Sequence, residues 1–261
     1  MKSAMRGLAS LYAATGPRDL RIIRGNLEAA LGSNDPRLKT LPREVILNFS
    51  SYLTDLFYSH KLDDAFFERN VRVEGRENLE KALSRKKGLI VVSAHVGHWE
   101  MGAMVMARLG YPIHILALQH RDERIDAIFK HRRRHYGIQT IPVGHSMRGC
   151  FQTIEQNHIL ALNGDRLFTR KGTMIRFMGK NVVWPVGPAK MALATGAPLL
   201  TAFCLPAEKD RYVLRIEGEL TPSTAEGMTQ EYAQRVEAVI RQHPAHWLIF
   251  QPFQEAAQWP N

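Results

Sequence analysis

Apolar positions along this 261-residue chain change their period partway through. Over residues 17–31, Leu20, Ile23, Leu27 and Leu31 recur at three- and four-residue steps and so share one face of a helix. Residues 1–16 read as an amphipathic start to this region, with a cleaved signal as the lesser alternative. After the turn-forming residues 32–41, Pro42 opens a second helical stretch. It is predicted to run to about residue 68, with Val45, Phe49, Tyr52, Leu53, Leu56 and Phe57 as its stripe. From Val71 onward, short β-branched and apolar runs at 89–94, 113–118, 138–142, 158–163, 198–205 and 211–220 alternate with helix-like stretches, and 171–183 reads as a hairpin. Strands alternating with helices predict an α/β fold: a mixed, mostly parallel central sheet flanked by helices, preceded by an all-helical segment. The expected organisation is a helical, membrane-contacting segment over residues 1–68 and one α/β unit over 69–261.

Composition places the chain among globular proteins, with 45% hydrophobic and 23% charged residues. The net charge of +10 favours an anionic partner: a phosphorylated small molecule, an acidic protein, an anionic membrane surface or nucleic acid. Nucleic acid is the weakest of these. The basic run Lys130–His135 lacks interleaved aromatics and any DNA-reading motif, and reads first as a solvated helix face, with a grip on phosphates or nucleic acid as the alternative. Arg18, Arg21 and Arg24 flank the first apolar stripe, either as a solvated face or as contacts to lipid phosphates. Cys150 and Cys204 form no CxxC or zinc spacing, so a reducing, cytoplasmic setting is expected. No apolar run approaches the roughly 18 residues of a spanning helix.

The chemistry concentrates where apolar strands stop. Residues 89–94 end abruptly at His95, and Gly97 and then Trp99-Glu100 open the next helix. In open α/β sheets, ligands bind beyond the carboxyl ends of strands. A carboxylate on one imidazole nitrogen leaves the other basic, so a His95–Glu100 pair can deprotonate a hydroxyl; a structural histidine beside a helix-start glutamate is the alternative. Asn163-Gly164-Asp165-Arg166 is a second polar strand end, where Asp165 can brace the site and Arg166 can grip a phosphate or carboxylate. Arg170 and Lys171 follow it, and a charged surface turn is the alternative reading. Lys190, just inside a Gly-Pro helix entry, can reach an anion, unless that entry serves only close helix–sheet packing. His95-x-x-His98 with the later Asp165 suggests a metal set, but His114, His120 and His145 show no motif that supports it, so no metal site is expected.

The segments SAHVGHWEMG, NGDRLFTRKGTMIRFMGKNVVWPVGPAKMALATGAPLL and HPAHWLIFQPF occur in this order. Together they resemble the bacterial lipid A biosynthesis acyltransferases of the lauroyl and myristoyl type, within the lysophospholipid acyltransferase superfamily. The resemblance extends from about residue 10 to 253. It implies a glycerolipid acyltransferase-like fold and an enzyme that moves a fatty acyl group onto a lipid hydroxyl. By it, the H-x4-D/E motif maps to His95 as general base and Glu100 as its orienting partner. Asp165, Arg166 and an arginine at Arg133 map to substrate binding. An acyl carrier protein or coenzyme A thioester is the implied donor, with no further cofactor. Backbone N–H groups of Val96 and Gly97 are expected at the oxyanion, and Met101, Met104 and Met106 in a slot for the chain. The acceptor is a lipid A precursor, a glycolipid or a lysophospholipid. The chain lacks the Arg-Pro-x-x-Asn-Pro run found in many relatives before the Ile125-Asp126 segment, and carries Leu118–Glu123 there. Attachment is expected to be peripheral, on the inner face of the cytoplasmic membrane. Hydrolysis of the same ester or thioester bond by water, and a non-catalytic module for acidic lipid or carrier protein, are the competing readings.

Overall fold

A computed structural model describes residues 2–144, 147–167, 172–207 and 212–254. Three helices come first: α1 (Lys2–Thr15), α2 (Pro17–Leu31) and α3 (Leu41–Tyr58). The second predicted helix keeps its apolar stripe but ends at Tyr58 and not at about residue 68. A 3-10 turn at Ser59–Lys61 ends it, and the Asp63 carboxylate accepts the Phe66 N–H to start a separate α4 (Asp64–Asn70). The alternating part follows as β1 (Val71–Glu74), α5 (Arg76–Leu83), β2 (Leu89–Ser93), α6 (Trp99–Arg108), β3 (Ile113–Ala117), α7 (Glu123–His135), β4 (Gln139–Pro142), α8 (Met147–Glu155) and β5 (Ile159–Asn163). A hairpin of β6 (Gly172–Phe177) and β7 (Lys180–Pro185) leads to α9 (Gly187–Thr195), β8 (Leu199–Pro206), β9 (Tyr212–Glu219) and α10 (Ala225–Gln242).

Seven strands make one sheet in the order β1-β9-β8-β2-β5-β3-β4, and only the β8–β9 pairing is antiparallel. β2 lies at its centre, and its residues Leu89 to Val92 are buried on both faces, as its unbroken apolar run requires. Ile90 and Val92 face a core shared with α9, α10 and the hairpin; Leu89 and Val91 face a core shared with α6 and Phe129 of α7. Each such side chain contributes about 1.5–3 kcal/mol on burial. A third cluster joins Ile23 and Leu27 of α2 and Val45 and Ile46 of α3 to Leu248. The N-terminal helices thus dock beside the carboxyl end of β2, because the Leu248 N–H donates to the His95 carbonyl at 2.8 Å.

Candidate active site

Strands β2 and β5 are parallel neighbours with Ser93 opposite Asn163. His95 and Asp165 each lie two residues past that pair, so the register brings them together. The His95 backbone N–H donates to Asp165 Oδ2 at 2.8 Å, and its Nδ1–H donates to Oδ1 at 2.7 Å. The Asp165 side chain is 1% exposed and that of His95 17%. Burial alone would raise the Asp165 carboxyl; the His95 charge, the two His95 hydrogen bonds and nearby Arg166 outweigh it and hold the carboxyl below its usual range. In the neutral ring the Asp165 carboxylate keeps the proton on Nδ1 and leaves Nε2 as the basic nitrogen. Behind the pair, Tyr232 Oη donates to the Ser93 carbonyl at 2.7 Å, and a Cβ on Gly164 would press into Val92 and the Tyr232 ring.

The carboxylate on His95 is therefore Asp165, and the expected His95–Glu100 pair does not form. Glu100 sits in the first turn of α6 and points towards α7, where Arg133 takes both its oxygens: Nε to Oε2 at 3.1 Å and Nη2 to Oε1 at 2.5 Å. Both side chains are buried, so the pair is a closed ionic clamp between α6 and α7. Burial works against the Arg133 charge, but Glu100 more than compensates and raises its pKa. Arg133 is thus held to Glu100 through Nε and Nη2, and both residues line the cavity described below.

The oxyanion expectation also changes. The Val96 N–H donates to the Ala94 carbonyl at 2.7 Å and the Gly97 N–H to the His246 carbonyl at 2.9 Å, within a bridge between Val96 and Trp247. Both donors are consumed in fastening the loop. Gly97 has φ of 69°, and a Cβ there would overlap the Cys204 carbonyl oxygen, so this turn is closed to other residues. His98 N–H donates to that same carbonyl at 2.7 Å, and its Nδ1 caps the Met101 N–H at 3.2 Å. The His95 ring meets Trp99 edge-on at 4.9 Å, and Trp99 lies 4.3 Å from Tyr52 of α3. The N-terminal helices thereby reach the site through an aromatic stack that spacing in the sequence did not reveal.

His95, Ser93, Asn163, Trp99 and Arg166 open on a cavity of about 900 Å³, the upper range for ligand pockets. Its walls are mostly apolar, and Leu8, Tyr12 and Ile125 stand exposed at its rim. Ser93 Oγ and Arg166 Nε are buried and have no hydrogen-bond partner among the described residues. Burial lowers the Arg166 pKa, opposed by Asp165. Met106 lines the cavity; Met101 and Met104 instead fill the core beside it. Lys190 departs from expectation: it is exposed on α9, against the other face of the sheet, and does not line the cavity. Arg170, Lys171 and His145 lie outside the described residues. No three His, Cys, Asp or Glu side chains among the described residues are grouped to hold a metal.

A histidine–carboxylate pair at the carboxyl edge of a mostly parallel sheet, opening on a long apolar cavity, defines an α/β enzyme suited to substrates with acyl chains. The chain belongs to the bacterial lipid A biosynthesis acyltransferase family, whose model matches residues 1–253, and it is an O-acyltransferase of lipid biosynthesis. Over 97% of its length it is 27% identical to the phosphatidylinositol mannoside acyltransferase of Mycolicibacterium smegmatis, covering 84% of that protein. The enzyme of the same name from Mycobacterium tuberculosis shares 28% identity over 69% of this chain and 58% of its own length. The crystal structure of the 1-acyl-sn-glycerophosphate acyltransferase PlsC from Thermotoga maritima aligns across both whole chains with a TM-score of 0.43 and 15% identity.

Proposed function

We propose that this enzyme transfers a fatty acyl group from an acyl carrier protein or coenzyme A thioester to a hydroxyl of a glycolipid acceptor. Phosphatidylinositol mannosides, named for its relatives, are the first acceptors to try. The observation that carries the reading is the Asp165-held His95 at the mouth of an apolar cavity. Nε2 of His95 takes the proton of the acceptor hydroxyl as its oxygen attacks the thioester carbonyl. The tetrahedral intermediate collapses with loss of the thiolate, which recovers the proton from His95. Arg166, whose charge acts on Asp165 and which lines the cavity, serves the anionic part of a substrate.

The exposed surface at and beside the rim of the same cavity supports attachment to a membrane. Leu8, Leu11 and Tyr12 on α1, with Ile125 and Ile128 on α7, are exposed apolar side chains, and Arg18, Arg21 and Arg24 are exposed nearby on α2. Among the described residues no helix is long and apolar enough to cross a bilayer. Apolar insertion with basic support at the inner face of the cytoplasmic membrane suits such a surface.

The test is His95→Ala, assayed with thioester donors and a glycolipid extract and read by mass spectrometry. Loss of acylated product from a folded variant is expected. Near-full activity in that variant would sink the proposal, and free fatty acid as the sole wild-type product would replace transfer by hydrolysis.

A further inference from the structure

The cavity exists because small residues face each other across a helix–sheet interface. On the α6 side Gly102 and Ala103 line it; opposite them stand Ala161 of β5 and Ala202 of β8. A helix packed on a sheet normally fills this layer with interlocking side chains at crystal-like density. Here these four lining positions carry only a hydrogen or a methyl group, and the cavity runs between them. Gly102 has no conformational reason to be glycine: it sits inside α6, without a positive φ, where glycine is a poor helix former. A Cβ at this position would meet Cys204 Cβ at 3.2 Å and Leu214 Cδ1 at 3.3 Å.

The course of the cavity gives these residues a meaning. Ile115, Ala161, Val91, Ala202 and Leu214 line it, one from each of five successive strands, β3, β5, β2, β8 and β9. Strands lie about 4.8 Å apart, so the crossing from β3 to β9 spans about 19 Å, and its part from β2, the strand that ends at His95, to β9 spans about 10 Å. Its rim is exposed at Leu8 and Ile125, whereas Leu214 and Cys204 are 1% and 2% exposed. The closed end is therefore the one beside Gly102.

We propose that Gly102, with Ala202 on the opposite wall, fixes the longest acyl chain this enzyme accepts. This rests on the acyl-transfer reading of the same cavity. A methyl group at 102 closes the last space between α6 and the β8–β9 pair, so the terminal carbons of the longest chain lose their room. One methylene in an apolar pocket changes selectivity by about 10- to 200-fold.

The experiment compares wild type, Gly102→Ala and Ala202→Val with saturated thioesters of graded length, measuring kcat/KM for each. The same fatty acids are titrated directly through tryptophan fluorescence. The expected result is a fall of at least about tenfold in the long-to-short chain ratio, in kcat/KM and in affinity, in either variant that folds. An unchanged ratio in a folded variant, with all lengths equally reduced or unaffected, overturns the proposal. Absence of wild-type transfer from every thioester would instead strike at the acyl-transfer reading, and the binding titration then decides the length question by itself.

Discussion

Asp165→Asn separates the two carboxylates of the site. Asp165 accepts two hydrogen bonds from one residue, at 2.8 Å from the His95 backbone and 2.7 Å from Nδ1. Asparagine keeps the shape but has one carbonyl oxygen. When that oxygen takes the backbone N–H, the amide NH2 faces Nδ1, which is then forced to accept. The ring proton moves to Nε2, and the atom that faces the cavity ceases to be a base. The same exchange in serine proteases lowers kcat about 10⁴-fold through the wrong tautomer. A loss on the order of 10³–10⁴ in kcat is expected here, with the fold intact. Glu100→Gln breaks the buried clamp instead and leaves the Arg133 charge unpaired, at about 3–5 kcal/mol. At about 2–4 °C per kcal/mol for a chain of this size, Tm falls by about 10 °C. Transfer rates and thermal melts on both variants check this. A Glu100→Gln protein that keeps its Tm and loses about 10³ in kcat, beside an Asp165→Asn protein within tenfold of wild type, refutes the assignment.

Two further outcomes follow from the loop that carries His95. Gly97→Ala places a Cβ against the Cys204 carbonyl at a φ of 69°, a strain of about 1–3 kcal/mol or more; a lower Tm and lower kcat should appear together, and an unshifted Tm would contradict the geometry. His246, whose carbonyl accepts the Gly97 N–H, is pushed from the usual 6.5 to about 4, by burial first and by His243 second. Its folded form resists a proton that the unfolded form accepts, so stability is full above about pH 6.5 and is lost as pH falls towards about 4, by about 3 kcal/mol in all. Urea titrations across this range on wild type and His246→Gln measure it: the substitution should flatten the slope, and an equal slope in both proteins counts against it.

How much of this was legible in the sequence depends on the range of the interaction. The strands at 89–93, 159–163 and 199–206 and the helices between them were readable because their apolar periods are local. The two polar strand ends at His95 and Asp165 were readable for the same reason. Their union was not, because it requires β2 and β5 to be neighbours in a given register, and 70 positions of chain separate the two residues. The H-x4-E spacing offered a nearer carboxylate, yet the first turn of α6 aims Glu100 at α7. The Val96 and Gly97 donors were misjudged likewise, since their fate depends on which segment docks beneath them, and that is the C-terminal stretch around His246 and Trp247. Gly102 reads locally as a weak point in a helix. Only when Cys204 and Leu214 stand against it, and Ala161 and Ala202 join the same lining, does the missing side chain become part of a cavity. Spacing along the chain therefore identified which groups can react, while strand order decided which of them meet. Two polar strand ends at matched offsets from a parallel pair are the better sign of such a site than a motif within one turn, because the sheet's hydrogen bonds hold them in register.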